Sequence, residues 1–149
     1  MRIKRYPLAF NNVISVKTKC KLNEWDGFAT EFRNKIIKSG LYATGPIIYT
    51  YNSFNNIEDD IEFTFYLPVN EPINMVKNDK FNFYKSWGFQ DGLVLRHADL
   101  DEDIEDGYKL LRSCAEANKF ELEEPFYNIY LDVYGGGIID IFAPIVKEL

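Results

Sequence analysis

The sequence predicts an α+β domain: duplicated β-α-β-β units forming one antiparallel-rich sheet, with two helices on one face and a ligand groove on the other. Three observations predict it. Two amphipathic helical stretches are each followed by a pair of strand-like runs. A proline opens the strand after each helix, with a tyrosine five positions later: Pro46 to Tyr51, and Pro125 to Tyr130. Each closing strand ends in an apolar-Pro-apolar triplet, Leu67-Pro68-Val69 and Ala143-Pro144-Ile145, so these two pairs of prolines repeat at offsets of 79 and 76 residues. Prolines open strands and close sheet edges on their own account, but one duplication explains both spacings. The expected organisation is a single domain over residues 1–149, with a first repeat of about 1–70 and a second of about 80–149.

Each element has local support. In "LNEWDGFATEFRNKIIKSG", Asn23 is the expected cap with Asp26 in the capping-box position. Trp25, Phe28, Phe32 and Ile36 form the apolar stripe, and Gly40 is the stop. In "DLDEDIEDGYKLLRSCAEANKF", Asp99 or Asp101 is the expected cap and the acidic first turn suits the helix dipole. The stripe there is Ile104, Tyr108, Leu111 and Ala115. Strands are expected in "NNVISVKT", "GPIIYTYN", "DIEFTFYLPV", "DGLVLRHA", "PFYNIYLDVY" and "IIDIFAPIV", and a further one around Phe81 to Trp87.

Composition narrows the function classes. At 149 residues the chain is long enough to bury a core. A net charge of −6 and a pI near 4.8, with only three basic residues gathered in "MRIKRYP", argue against a nucleic-acid partner. No apolar run approaches a membrane span and no signal-peptide core stands at the start, so the expected location is cytoplasmic, with no membrane partner. Cys20 and Cys114 are too few for a disulfide scaffold and are read as reduced thiols. Twelve Phe, ten Tyr and two Trp are more aromatics than a dry core readily takes, since each buried phenol needs a partner. The surplus points to an aromatic-lined cavity or interface.

Strand alternation then assigns faces. Tyr127, Ile129, Leu131 and Val133 are expected under the second helix, as are Ile139, Ile141 and Ala143; Phe126, Asn128, Tyr130, Asp132 and Tyr134 are expected to face away. Ile61, Phe63, Phe65 and Leu67 are expected in the core of the first repeat. The opposite face would then bear Tyr49, Tyr51, Tyr66, Tyr130 and Phe142 as stacking surface, beside Asn128, Thr64, Glu62 and Asp140. Aromatics interspersed with a few polar groups describe a small-molecule site. The competing reading is the solvated face of an antiparallel sheet.

Two stretches, "LVLRHADLDEDIEDGYKLL" and "PFYNIYLDVYGGGIIDIFAPI", together with the duplicated plan, resemble the GyrI-like small-molecule-binding family. That family includes the effector-binding domains of multidrug-responsive transcription regulators as well as free-standing proteins. The resemblance covers nearly the whole chain. It implies a groove between the repeats that takes bulky aromatic, often cationic compounds, with His97 near it at the strand end before the second helix. The family's Gly two residues after the His is Asp99 here. Where the family commonly carries a glutamate, facing the cation or supporting hydrolysis in one branch, this chain has Asn128 in Tyr127-Asn128-Ile129-Tyr130. An amide keeps the hydrogen-bonding capacity but carries no charge and exchanges no proton at neutral pH.

Other chemical signals fall short. The lone His97 has no Cys or second His near enough in sequence to suggest a metal site. "DLDEDIED" begins like a calcium loop but carries Ile104 at the sixth position and Leu110 at the twelfth. "YGGGII" precedes no helix and reads as a hairpin turn. Glu62 and Asp140 are the only acid–base candidates and are given no catalytic assignment. The expected function is therefore a stand-alone small-molecule-binding protein with an aromatic organic ligand and no cofactor or metal. The alternative is an interaction module presenting the same face to a partner protein, and a hydrolase ranks last.

Overall fold

In the computed structural model of the protein, the described residues are 3–52, 61–74, 80–97, 103–133 and 136–148. In chain order the elements are β1 (Ile3–Arg5), β2 (Leu8–Cys20), α1 (Trp25–Lys38), β3 (Ile47–Asn52), β4 (Ile61–Pro68), β5 (Phe81–Phe89), β6 (Gly92–His97), α2 (Ile104–Asn118), β7 (Phe120–Leu122), β8 (Tyr127–Val133) and β9 (Gly136–Glu148). The chain divides into two compact units, Phe10–Trp87 on the one hand and Met1–Ala9 with Gly88–Leu149 on the other. Each is built as the sequence predicts, an antiparallel β structure with a helix on one face.

In the unit Phe10–Trp87 the strand order is β3-β4-β2-β5. β4 lies antiparallel between β2 and β3, with Phe65 opposite both Val16 and Tyr49. In the other unit the order is β1-β6-β9-β8, with β7 also pairing β9. β9 lies antiparallel between β6 and β8, with Ile141 opposite both Leu95 and Asn128. The rows Val16–Phe65–Tyr49 and Leu95–Ile141–Asn128 are related by the 79 and 76 offsets of the prolines. The duplication thus extends from spacing to hydrogen-bond register. In each repeat the strand before the helix, β2 or β6, pairs with the closing strand, β4 or β9, and β3 or β8 lies on the closing strand's other side.

The helix lies over that row in both units. Trp25 of α1 stacks on Tyr49 with ring centroids 4.3 Å apart. In α2, Gly107 comes so close to β9 that a Cβ there would lie 2.7 Å from Ile141 Cδ1. Beneath the helices Phe65, Leu67, Leu95, Leu111, Ile141 and Ala143 are almost wholly buried. Ala29 and Phe32 anchor α1, whereas Phe28, expected in its stripe, is 36% exposed. The stripe of α2 is as expected, with Tyr108, Leu111 and Ala115 buried.

Helix starts differ from expectation. Asn23 makes no cap, because a 3-10 turn over Leu22–Glu24 precedes α1 and the first helical residue is Trp25. For α2, Asp99 and Asp101 lie outside the described residues, and the cap is Asp103, whose carboxylate accepts from the Glu105 N–H at 3.0 Å. Gly40 ends the first helical region at φ +97, as a C-terminal glycine should. The short β1 and β7, with three residues each, carry too little pattern to announce themselves.

The larger correction concerns the two strands that follow the helices. Residues directly opposite in an antiparallel pair share a face. Tyr49 and Tyr51 oppose Phe65 and Phe63, and so lie on the α1 side instead of the face away from it. Asn128 and Tyr130 oppose Ile141 and Ile139, and so lie on the α2 side. Tyr127, Ile129 and Leu131 turn the other way. Val133, Asp132 and Tyr134 are not among the described side chains. The physical reason is that the face of β8 away from α2 is packed as well, with Tyr127 and Phe142 on Phe89, so an apolar parity in β8, and in β3 matched to it through the repeat, carries no sign for the helix side. Pairing with the closing strand supplies it.

Arg5 and Asp91 tie β1 to the turn before β6 with a two-point ion pair, Nε to Oδ1 at 2.9 Å and the second nitrogen to Oδ2 at 2.6 Å. The Arg5 hydrogen bond holds the Asp91 carboxyl below the usual carboxylate range.

Two measurements check this account. Truncating Phe65 or Ile141 to Ala should cost about 2–5 kcal/mol by denaturant titration, the usual penalty for a fully buried large side chain. Because Asp91 titrates lower in the folded chain than in the unfolded one, its contribution should be complete above the unfolded carboxylate value and fade as pH falls through the folded one. An exposed pair of this kind contributes under about 1 kcal/mol. The stability difference between wild type and Asp91→Asn should therefore be small at neutral pH and absent in acid.

Candidate functional site

The expected site residues divide between two faces in each unit. In the unit Phe10–Trp87, Tyr49 and Tyr51 lie against α1's side, and Glu62, Thr64 and Tyr66 lie on the opposite side. In the other unit, His97, Asn128 and Tyr130 lie on α2's side, and Asp140 and Phe142 on the opposite side. Two arrangements of interest result, one beneath α2 and one on the face away from α1.

Beneath α2, Asn128 is 0% exposed. Strand pairing puts it beside Ile141 and Leu95, with Tyr130, Ile139 and His97 forming the next row on the same face. From above, Tyr108 Oη donates to Asn128 Oδ1 at 2.8 Å. Phe126 meets the Tyr108 ring edge-on at 5.4 Å. The other end of the amide is different. Asn128 Nδ2 is buried and has no hydrogen-bond partner among the described residues. A buried N–H pair left unmade costs about 1–3 kcal/mol, so this position is unfavourable for stability as it stands. In the other unit the corresponding place holds Tyr49, filled by stacking under Trp25. One repeat closes its helix–sheet contact with aromatic packing, and the other leaves a half-satisfied amide there.

Tyr108 was legible only as part of an apolar helical stripe. Its hydroxyl was the missed signal: a tyrosine pointing into a core requires a polar partner, and Asn128 is the polar residue among β8's aromatics. His97 is 3% exposed and takes part in the packing of the same face.

On the face away from α1, Tyr66 stacks on Trp87 at 4.6 Å and lies 6.5 Å from Tyr84, which is 36% exposed. Sequence reasoning placed Tyr66 on this face but did not bring β5's aromatics to it. On the face of the other unit away from α2, Phe142 packs with Phe89 and is fully buried, over a glycine, Gly92, where a Cβ would come within 2.2 Å of its ring. Phe142 is therefore packed as core and offers no free ring face.

The two carboxylates do not occupy matching positions. Asp140 is opposite Arg96 and takes both its Nε and its second nitrogen, at 2.9 and 3.1 Å. This bond raises the Arg96 pKa above its ordinary value. By the repeat's register the counterpart of Asp140 is Thr64, and Glu62 is exposed. Among the described residues no group of three or more His, Cys, Asp or Glu stands close enough to hold a metal ion. No helix among them is long and apolar enough to cross a membrane.

Comparison with solved structures shows the same fold in other proteins. The chain matches EcmrR in its DNA complex at a TM-score of 0.74 and 14% identity, covering 97% of this chain and 58% of that one. It thus spans less than two thirds of that protein. It matches the EcmrR C-terminal domain taken alone at 0.71 and 14% identity, covering 99% of both chains. A hydrolase from Listeria innocua matches at 0.61 and 11% identity, over 97% of this chain and 91% of that one. SAV2435, in a structure bound to tetraphenylphosphonium, matches at 0.53 and 11% identity, over 97% and 94%. At such identities the likeness establishes the fold, the one that the resemblance to GyrI-like domains implied. No curated protein matches the sequence. The family described as "Domain of unknown function (DUF5085)" matches residues 9–146, and the chain belongs to that family.

Proposed function

We propose that this protein binds a small organic molecule beneath α2, against the amide of Asn128. The half-satisfied amide carries this reading. A fully buried polar group with one end unmatched is retained at a cost to stability, and a ligand that completes its hydrogen bonding accounts for the retention. Phe126, Tyr108 and Tyr130 supply the apolar and aromatic surroundings usual for such a site. SAV2435, which shares the fold, binds tetraphenylphosphonium, and this supports ligand binding as a use of the architecture.

A second reading has its own observation. The Tyr66–Trp87–Tyr84 cluster is partly exposed and lies away from α1, and aromatic groups of this kind are enriched where proteins meet. It supports an interaction surface. An enzymatic role has less to rest on: Asp140 is engaged by Arg96, Glu62 is exposed, and the buried position beneath α2 carries an amide. We therefore read the chain as a binding protein and not a hydrolase.

Thermal unfolding in the presence of a panel of neutral and cationic aromatic dyes tests the proposal. A dye at a hundredfold its Kd stabilises by about 2.7 kcal/mol, which raises Tm by on the order of 5–10 °C. The same dyes should protect the Trp87→Ala variant equally well. A dye response that vanishes in that variant would move the site to the exposed cluster. No saturable response from any dye would leave the interaction reading in front.

A further inference from the structure

The same site specifies the chemistry of its ligand. Resting on the small-molecule reading, we infer that the ligand is a neutral planar compound that presents a hydrogen-bond acceptor, such as a carbonyl oxygen, to Asn128 Nδ2.

The argument begins with what the amide already has. Its oxygen is taken by Tyr108 Oη, so the end left to offer is the NH2. A primary amide nitrogen donates and does not accept, and its complement is an acceptor. Charge gives the second step. The described side chains of the strands on α2's side include Ile3, Arg5, Leu93, Leu95, His97, Asn128, Tyr130, Ile139, Ile141 and Ala143, none of them a carboxylate. Asp140 is on the other face, opposite Arg96. A cation brought beneath α2 would lose its hydration and meet no described counter-charge there, which is costly in an apolar setting. A neutral carbonyl loses far less and gains the bond that Nδ2 lacks.

Shape gives the third step. The row that contains Asn128 meets α2 through Gly107, which has no side chain, and Tyr108. Admitting a ligand means separating the helix from the sheet at this step, and a flat molecule asks for the least separation. In the bound state the Tyr108 hydroxyl continues to donate to Oδ1 while the ligand's oxygen accepts from Nδ2. Both ends of the amide are then satisfied.

Four tricyclic probes of similar outline separate the alternatives: fluorenone with an acceptor, carbazole with a donor, fluorene with neither, and N-methylacridinium with a positive charge. Their affinities for the wild-type protein are measured by titration calorimetry. They are then measured for the double variant Asn128→Leu/Tyr108→Phe, which removes both partners together so that neither is left unpaired. Fluorenone should bind wild type about two- to tenfold more tightly than fluorene or carbazole, the ratio expected for one neutral hydrogen bond. The acridinium should bind no better than fluorene. The fluorenone preference should disappear in the double variant. Carbazole or the acridinium binding most tightly to wild type would overturn the inference, and so would a fluorenone preference that survives in the double variant. Fluorene equal to fluorenone would overturn the inference while leaving the small-molecule reading in place. Failure of all four to bind wild type would remove both. The wild-type series decides the matter alone if the double variant does not fold.

Discussion

In each repeat the pairing of the strand before the helix with the closing strand governs everything else. β2 with β4, and β6 with β9, fix which parity of the closing strand faces the helix. The strand that follows the helix then joins the closing strand's free side, and its faces are set by that register. Phe65 and Ile141 sit at the centre of these two arrangements, each flanked by a residue from the first strand and one from the strand after the helix. The helix closes over the row so formed. A slip of one residue in the closing pair would turn every one of these side chains to the other face.

The two rows show how one plan serves two ends. Val16, Phe65 and Tyr49 lie under a stacked tryptophan, and this row needs nothing further. Leu95, Ile141 and Asn128 lie under a glycine and a tyrosine, and this row keeps one donor unmatched. Replacing a buried polar pair with apolar groups of similar shape is often neutral or stabilising, so stability alone gives no reason to keep the amide. Gly107 lets α2 come close to β9 at this row, at a helix-propensity cost of about 1 kcal/mol relative to alanine. The close helix approach and the unmatched amide meet at one place, which is where the binding reading locates the ligand.

Among the described residues, polar side chains outside this place are matched or wet. Arg5 with Asp91 and Arg96 with Asp140 form two-point pairs at the protein surface, where they orient strands and contribute little to stability. The contrast between these satisfied surface groups and the unsatisfied buried amide is what gives Asn128 its weight. The fold itself is shared with proteins only 11–14% identical. Such a plan tolerates wide exchange of side chains as long as the apolar parity of the closing strands is kept.

Much of the architecture was legible in the sequence. The prolines at 46, 68, 125 and 144 revealed the duplication because an X-Pro step restricts the backbone wherever it falls. The alternation in Ile61–Leu67 and in Ile139–Ala143 assigned the closing strands correctly, since only one parity there is consistently apolar. The stripe of α2 was readable from its 3.6-residue period. The facing of four of the ten expected site residues was not readable. Tyr49, Tyr51, Asn128 and Tyr130 belong to the repeat-related strands β3 and β8, and the apolar parity of β8 packs on the face away from its helix, with Tyr127 beside Phe142 on Phe89, so no local rule could orient them. The hydrogen bond from Tyr108 to Asn128 joins residues twenty positions apart on different elements, and it exists only once the helix lies on the sheet. Composition and spacing therefore determined the repeat, its elements and the core of its closing strands. Tertiary structure alone decided which face the middle strands present, because their sidedness comes from the strand beside them and from the helix above.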